Sequence, residues 1–224
     1  MRHAIVTGAS SGIGEAIVSR LLEDGWRVTG LSRTPVVRDN PSFDSVNIDL
    51  SDSDALQALL PQLPLPDAVI HAAGMMAAAP LGELKPGEGE RLWQLHVGVA
   101  ERLMNHFVPQ MSAGGRIVII GSRTSRGMAG RSQYVATKAA QVGMVRSWAA
   151  ELAPRGITVN VVAPGATQTP MLGAQGRESS PVKVPPIGRL IKPVEVASLT
   201  AWLLCEHAAP VTGQEILICG GSSL

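Results

Sequence analysis

The chain has 224 residues, 45% of them hydrophobic and 17% charged; this is enough apolar content for one buried core, and α/β folds of this size are commonly single domains. Its net charge of +1, with 19 basic residues scattered rather than striped, sets up no field that would hold nucleic acid. Two cysteines, Cys205 and Cys219, lack a CxxC spacing and fit reduced thiols in the cytoplasm, and the most apolar window, 68–81, is broken by His71, Gly74 and Pro80, so no membrane span is expected.

Short β-branched runs alternate with longer helical patterns, which predicts an α/β, doubly wound, Rossmann-type fold: one parallel sheet with helices on both faces. The first strand, 4–6, opens into Thr7-Gly8-Ala9-Ser10-Ser11-Gly12-Ile13-Gly14 and an apolar-periodic helix over 13–24. A glycine-rich turn between strand and helix lets backbone amides approach a pyrophosphate, and the helix start adds partial positive charge. That is the pattern of a dinucleotide cradle. The second strand, 27–31, runs into Ser32-Arg33-Thr34, where a fold that prefers NAD places an acidic residue about 20 positions beyond the glycines. A hydroxyl and a guanidinium there suit the 2′-phosphate of NADP, so NADP(H) is expected ahead of NAD(H).

Strands at 45–48 and 68–71 flank a helix at 52–60, and a long helix is predicted over 88–111, followed by a strand at 116–120. The segment from Ser122 to Lys138 carries the chemistry. Tyr134 and Lys138 stand four apart at the head of a helix over 134–152, so both side chains emerge on one face, one turn apart. An ammonium beside a phenol favours the phenolate, which makes the tyrosine a proton donor and acceptor near neutral pH. Ser122 closes the preceding strand, from which its hydroxyl reaches the same carbonyl or alcohol oxygen. A strand at 158–162, an aperiodic loop over 173–189, a helix over 194–204 opened by Pro193 and a strand at 215–218 complete seven strands.

Arg123, Arg126 and Arg131 lie between the serine and the tyrosine; solvated loop charge is the plainer reading, and an anionic substrate the sharper one. The five histidines show no ligand spacing with carboxylates or cysteines, so no metal is expected. Apolar residues around most of the 134–152 helix, among them Val135, Ala139, Val142, Met144 and Trp148, exceed what one sheet face needs. A homo-oligomer is expected.

Taken in order, these motifs resemble the short-chain dehydrogenase/reductase family over nearly the whole chain, on the spacing of Thr7, Gly8, Gly12 and Gly14 together with Ser122, Tyr134 and Lys138. The resemblance implies an NADP(H)-dependent oxidoreductase that transfers hydride between the nicotinamide and a small carbonyl or alcohol. Tyr134 would be the general acid and base, Ser122 would hydrogen-bond the reacting oxygen, and Lys138 would lower the tyrosine pKa and contact the ribose. Cofactor contacts are implied at Gly8, Ser10, Ser11, Gly12, Ile13, Gly14, Ser32 and Arg33. Further contacts are implied at Asp49 and Leu50 by the adenine, at Ala73, Gly74, Tyr134, Lys138, Pro164 and Gly165, and at Thr169 by the carboxamide. A substrate loop at about 170–190, including Met171 and Leu172, would close over Met75, Met76 and Met128. The oligomer would be a homodimer or homotetramer.

Three departures qualify the resemblance. His71-Ala72-Ala73-Gly74 stands for the family's Asn-Asn-Ala-Gly, which removes or alters two sets of side-chain hydrogen bonds. His96 stands where a catalytic asparagine is usual; in the family that residue helps hold a water, largely through a main-chain carbonyl that a histidine keeps. Ser122 is one residue closer to Tyr134 than is common, leaving Ser125 as an alternative serine. A second reading is therefore a catalytically impaired dinucleotide-binding sensor or regulatory subunit.

Overall fold

Every residue of the first strand, β1 (His3–Thr7), is buried, and its side chains alternate between two cores: Ala4 and Val6 enter one apolar cluster, Ile5 the other. A strand buried on both faces belongs to the middle of a parallel sheet covered by helices. The structure, a computed structural model, describes residues 1–173 and 181–224. Six further strands, β2 (Arg27–Ser32), β3 (Phe43–Asn47), β4 (Ala68–His71), β5 (Arg116–Ile120), β6 (Thr158–Pro164) and β7 (Glu215–Ile218), join β1 in one parallel sheet of order β3-β2-β1-β4-β5-β6-β7. The seven strands expected from the sequence are therefore present, three with the expected bounds and four with bounds moved by one or two residues. β3 begins earlier than expected because Phe43 and Asp44 pair with Val28 and Thr29 of β2.

One face of the sheet is covered by α1 (Gly12–Glu23) and α6 (Pro193–Leu203), which bury Ile17, Val18, Leu21, Val196, Ala197 and Leu203 against it. α4 (Val99–Phe107) and α5 (Ser132–Leu152) cover the other with Val99, Leu103, Phe107, Val145 and Ala149, and the short α2 (Ser53–Leu59) adds Leu56. The strand order reverses between β1 and β4, so the loops leaving these two strands part and open a crevice at their carboxyl ends.

A single helix over 88–111 does not form. The chain instead makes α3 (Pro86–Trp93), one wide π turn (Gln94–Gly98) and then α4. A π turn inserts an extra residue and leaves a main-chain carbonyl without its usual helical donor. Here His96, Val97 and Gly98 are carried inward and buried. Of the expected substrate loop, 170–173 and 181–190 are described, and residues 174–180 lie outside the described residues. Among the described residues no helix is long and apolar enough to cross a membrane, and no group of three or more His, Cys, Asp or Glu could hold a metal ion.

Candidate active site

The turn from β1 to α1 is built so that only glycine fits. A Cβ on Gly14 would stand 2.1 Å from the Gly8 carbonyl oxygen, and one on Gly8, whose φ is +70°, would stand 2.9 Å from the backbone of Ala73. The first-turn N–H groups of a helix have no intrahelical acceptor, and Ser11, in the N-cap position of α1, makes no side-chain capping bond to them. These amides and the hydroxyls of Ser10 and Ser11 fit the pyrophosphate of a dinucleotide.

The far end of the crevice is formed by the carboxyl ends of β2 and β3. Arg33 is exposed, and among the described residues no carboxylate is bonded to it in an ion pair. Ser32 is buried and donates its hydroxyl to the Thr34 carbonyl at 2.7 Å, so that proton is already committed within the chain. Asp49 is exposed and held below the usual carboxylate range, first by hydrogen bonds from Ser51 and, more weakly, by the charge of Arg33. The Leu50 side chain lies in the core beside Leu31 and Leu56, which leaves its backbone for any cofactor contact.

A cavity of about 650 Å³ lies at the carboxyl ends of β4, β5 and β6. Ser122, Tyr134, Lys138 and His96 line it together with Ile13, Gly74, Pro164, Gly165 and Thr169, and the apolar wall comes from Met75, Met76, Met128, Met171 and Leu172. Ser122 leaves β5 in extended conformation; its Oγ accepts from the Thr124 N–H at 3.2 Å and lies 2.9 Å from Thr124 Oγ1. Ser125, the alternative serine, turns away and donates to Glu215 of β7. Tyr134 is only 7% exposed, and its ring stands edge-on to that of His96 at 5.6 Å.

Lys138 stands beside the Tyr134 ring, as the four-residue spacing predicts. It is buried, with Nζ 5.8 Å from the centre of the Tyr134 ring, donating to the Ile120 carbonyl at 2.9 Å and to Gln141 Oε1 at 3.1 Å. Burial pulls its pKa down to about 7, which makes the lysine itself a group that exchanges a proton near neutrality.

The two histidines that replace asparagines are wired into the fold. Thr7 Oγ1 accepts from the Ala72 and Ala73 N–H groups and is 2.9 Å from His71 Nδ1, while His71 Nε2 meets the Leu95 carbonyl at 3.1 Å. The threonine therefore donates to Nδ1 and His71 donates from Nε2, a neutral ring; burial and the Lys138 charge push its pKa down to about 3. His96 is fully buried, with Nε2 accepting from the Met75 N–H at 3.1 Å. Its proton must then sit on Nδ1, which lies 2.8 Å from Thr137 Oγ1, and Thr137 donates onward to the Tyr134 carbonyl. Burial first, then Lys138, hold His96 well below its usual pKa. A carbonyl of the π turn, His96 O, accepts from Gln141 Nε2 at 2.8 Å.

Sequence reasoning missed Thr137 and Gln141. The available signal was their position on the same stripe of α5 as Tyr134 and Lys138, three and seven residues from the tyrosine, where buried polar side chains require partners.

Residues 8–223 match the family model described as Enoyl-(Acyl carrier protein) reductase. The 3-oxoacyl-[acyl-carrier-protein] reductase FabG of Vibrio cholerae is 33% identical over 233 residues, covering 97% of this chain and 96% of its own. Among solved structures, 4-hydroxyisoleucine dehydrogenase complexed with NADH superposes with a TM-score of 0.88 at 25% identity, covering 99% of this chain and 98% of the other. BdcA in complex with NADPH gives a TM-score of 0.83 at 30% identity, covering 98% and 93%.

Proposed function

Because the chain belongs to the short-chain dehydrogenase/reductase family, we propose that it is an NADP(H)-dependent oxidoreductase acting on a carbonyl or alcohol, with the whole chain working as one domain. The observation that carries the reading is the convergence of Ser122, Tyr134 and Lys138 on one cavity that runs to Ile13 and Thr169. When bound, the cofactor supplies or accepts the hydride. The chain does the rest. Amides of the Gly8 to Gly14 turn hold the pyrophosphate, Arg33 the 2′-phosphate, and Pro164, Gly165 and Thr169 the nicotinamide end.

Tyr134 gives the substrate oxygen its proton in reduction and takes it back in oxidation. Ser122 Oγ accepts from the Thr124 N–H, and with the Thr124 hydroxyl donating to it as well, the serine proton is left for the same oxygen. Lys138 contacts the ribose and restores the tyrosine proton. His96 shapes the pocket as a locked, neutral ring rather than exchanging protons. The complete catalytic set favours turnover over the sensor reading.

The described lining contains no carboxylate, and it presents Arg123, Arg131 and Lys183 beside the methionine wall. An apolar carbonyl compound with an anionic group fits such a lining; a 3-oxoacyl thioester supplies the apolar carbonyl part and would need its carrier to bring the negative charge, and the Vibrio cholerae relative is named for a 3-oxoacyl-[acyl-carrier-protein]. The deciding assay follows NADPH oxidation over a panel of carbonyl compounds that includes such thioesters, with Tyr134→Phe run beside the wild type. Tight NADPH binding with no Tyr134-dependent turnover would favour the sensor.

Cofactor choice has its own test, since the two bound relatives differ in their nicotinamide. Charge-assisted hydrogen bonds contribute about 1.5–3 kcal/mol, so Arg33→Ala should weaken NADPH binding by roughly 10- to 150-fold and NADH binding far less. Equal wild-type affinities for the two, or tighter NADH, refutes the NADP assignment. The outer faces of α4 and α5 frame a second hollow of about 470 Å³ that includes Met104, Val108, Met144 and Trp148. We assign this face to a homodimer or homotetramer contact; sedimentation at micromolar concentration should show more than one copy, and a strict monomer sinks the assignment.

A further inference from the structure

Gln141 is 1% exposed, lies one turn beyond Lys138 on α5, and has both ends of its amide occupied. Oε1 accepts from Lys138 Nζ at 3.1 Å, and Nε2 donates to the His96 carbonyl at 2.8 Å. That carbonyl belongs to the π turn that interrupts the segment between α3 and α4. The amide thus ties the lysine to the one irregular turn of the α3–α4 segment. Nothing in the hydride-transfer chemistry needs a glutamine here, yet an apolar residue would leave the His96 carbonyl unpaired and Lys138 short of an acceptor, each a buried loss.

We propose that Gln141 is a positioning residue that clamps Lys138 from behind, fixing its side chain against the π turn and closing the inward path for its proton. An amide passes a proton onward only through its high-energy imidic acid form, so the chain from Lys138 through Gln141 to the His96 carbonyl is a dead end. Lys138 then exchanges protons on its cavity side alone, toward Tyr134 and bound ligands. The groups facing the lysine are Tyr134 and Gln141 from α5, His71 from β4, His96 from the π turn and the Ile120 carbonyl from β5. Both histidines are neutral, and no carboxylate is among the described residues lining the cavity, so the amide oxygen is the nearest adjustable influence. The kinetic consequence rests on the oxidoreductase reading; the clamp itself does not.

The test uses the full chain labelled with carbon-13 at lysine Cε. There are four lysines, and Lys85, Lys183 and Lys192 are exposed, so Lys138 gives the one displaced resonance, assigned by its loss in Lys138→Met. Gln141→Glu keeps the acceptor and adds a charge beside Nζ; it should raise the Lys138 titration midpoint by about 1 to 3 pH units. Gln141→Leu keeps the volume and removes the acceptor, and should lower the midpoint. The pH profile of turnover should move in the same direction in each variant, whereas loss of folding alone would reduce turnover at every pH. A midpoint unmoved in both variants overturns the clamp. A midpoint that moves as stated while the wild type turns over no carbonyl compound sustains the clamp and counts against the oxidoreductase reading.

Discussion

Tyr134→Phe is expected to lower turnover by about 10²- to 10⁴-fold, which is the range a positioned proton donor contributes and corresponds to roughly 3–5 kcal/mol in the barrier. The substitution isolates the hydroxyl. The ring that stands edge-on to His96 is kept, so the wall of the pocket and the π turn behind it stay in place. NADPH affinity should therefore change by only a few-fold, because the glycine turn and Arg33 are untouched. Tyr134 is the only tyrosine in the chain, so an ultraviolet difference titration reads this phenol and no other, and the phenolate band should vanish in the variant. Turnover of Tyr134→Phe within tenfold of wild type would remove the phenol from the reaction.

The parts of the fold legible in the sequence are those where local pattern and global role agree. β1 reads as a strand because Ala4, Ile5 and Val6 are apolar on both faces, and the glycine turn reads as a cradle because its spacing has a steric reason, visible in the contacts that Cβ atoms on Gly8 and Gly14 would make. The π turn was not legible. Its residues, Gln94 to Gly98, carry helical apolar spacing, and nothing in that spacing marks an extra residue in the turn that packs against α5. The depth of Lys138 was hidden for a related reason. Four-residue spacing places a lysine on the same face as a tyrosine but says nothing of what else lies there, and the wet or dry character of that face is set by β4, β5 and the π turn. The replacement of asparagine by His71 read as a loss; in the fold it becomes a ring held between Thr7 and Leu95, a network that needs three separate segments to meet.

Lys138→Met should remove catalysis and at the same time change how stability depends on pH, in a direction fixed by the sign of the lysine's shift. Its pKa in the folded chain is about 7, below the ordinary value of 10.5, so between these values the unfolded chain binds more protons than the folded one. Unfolding free energy contributed by this group therefore rises with pH across that window. Below pH 7 the buried charge exacts its full cost, and above 10.5 it exacts none. Methionine carries no such cost at any pH. Relative to wild type, Lys138→Met should gain stability steadily as pH falls from 10 to 7, by on the order of 4 kcal/mol in all. The variant also leaves the Ile120 carbonyl and Gln141 Oε1 without their donor, at about 1–3 kcal/mol each, but that penalty does not vary with pH and displaces the curve without changing its slope. Urea unfolding of both proteins at several pH values separates the two contributions. A stability difference that stays flat from pH 7 to 10 would show that Lys138 carries its ordinary pKa in the folded protein, and the proton-restoring role assigned to it would lose its physical basis.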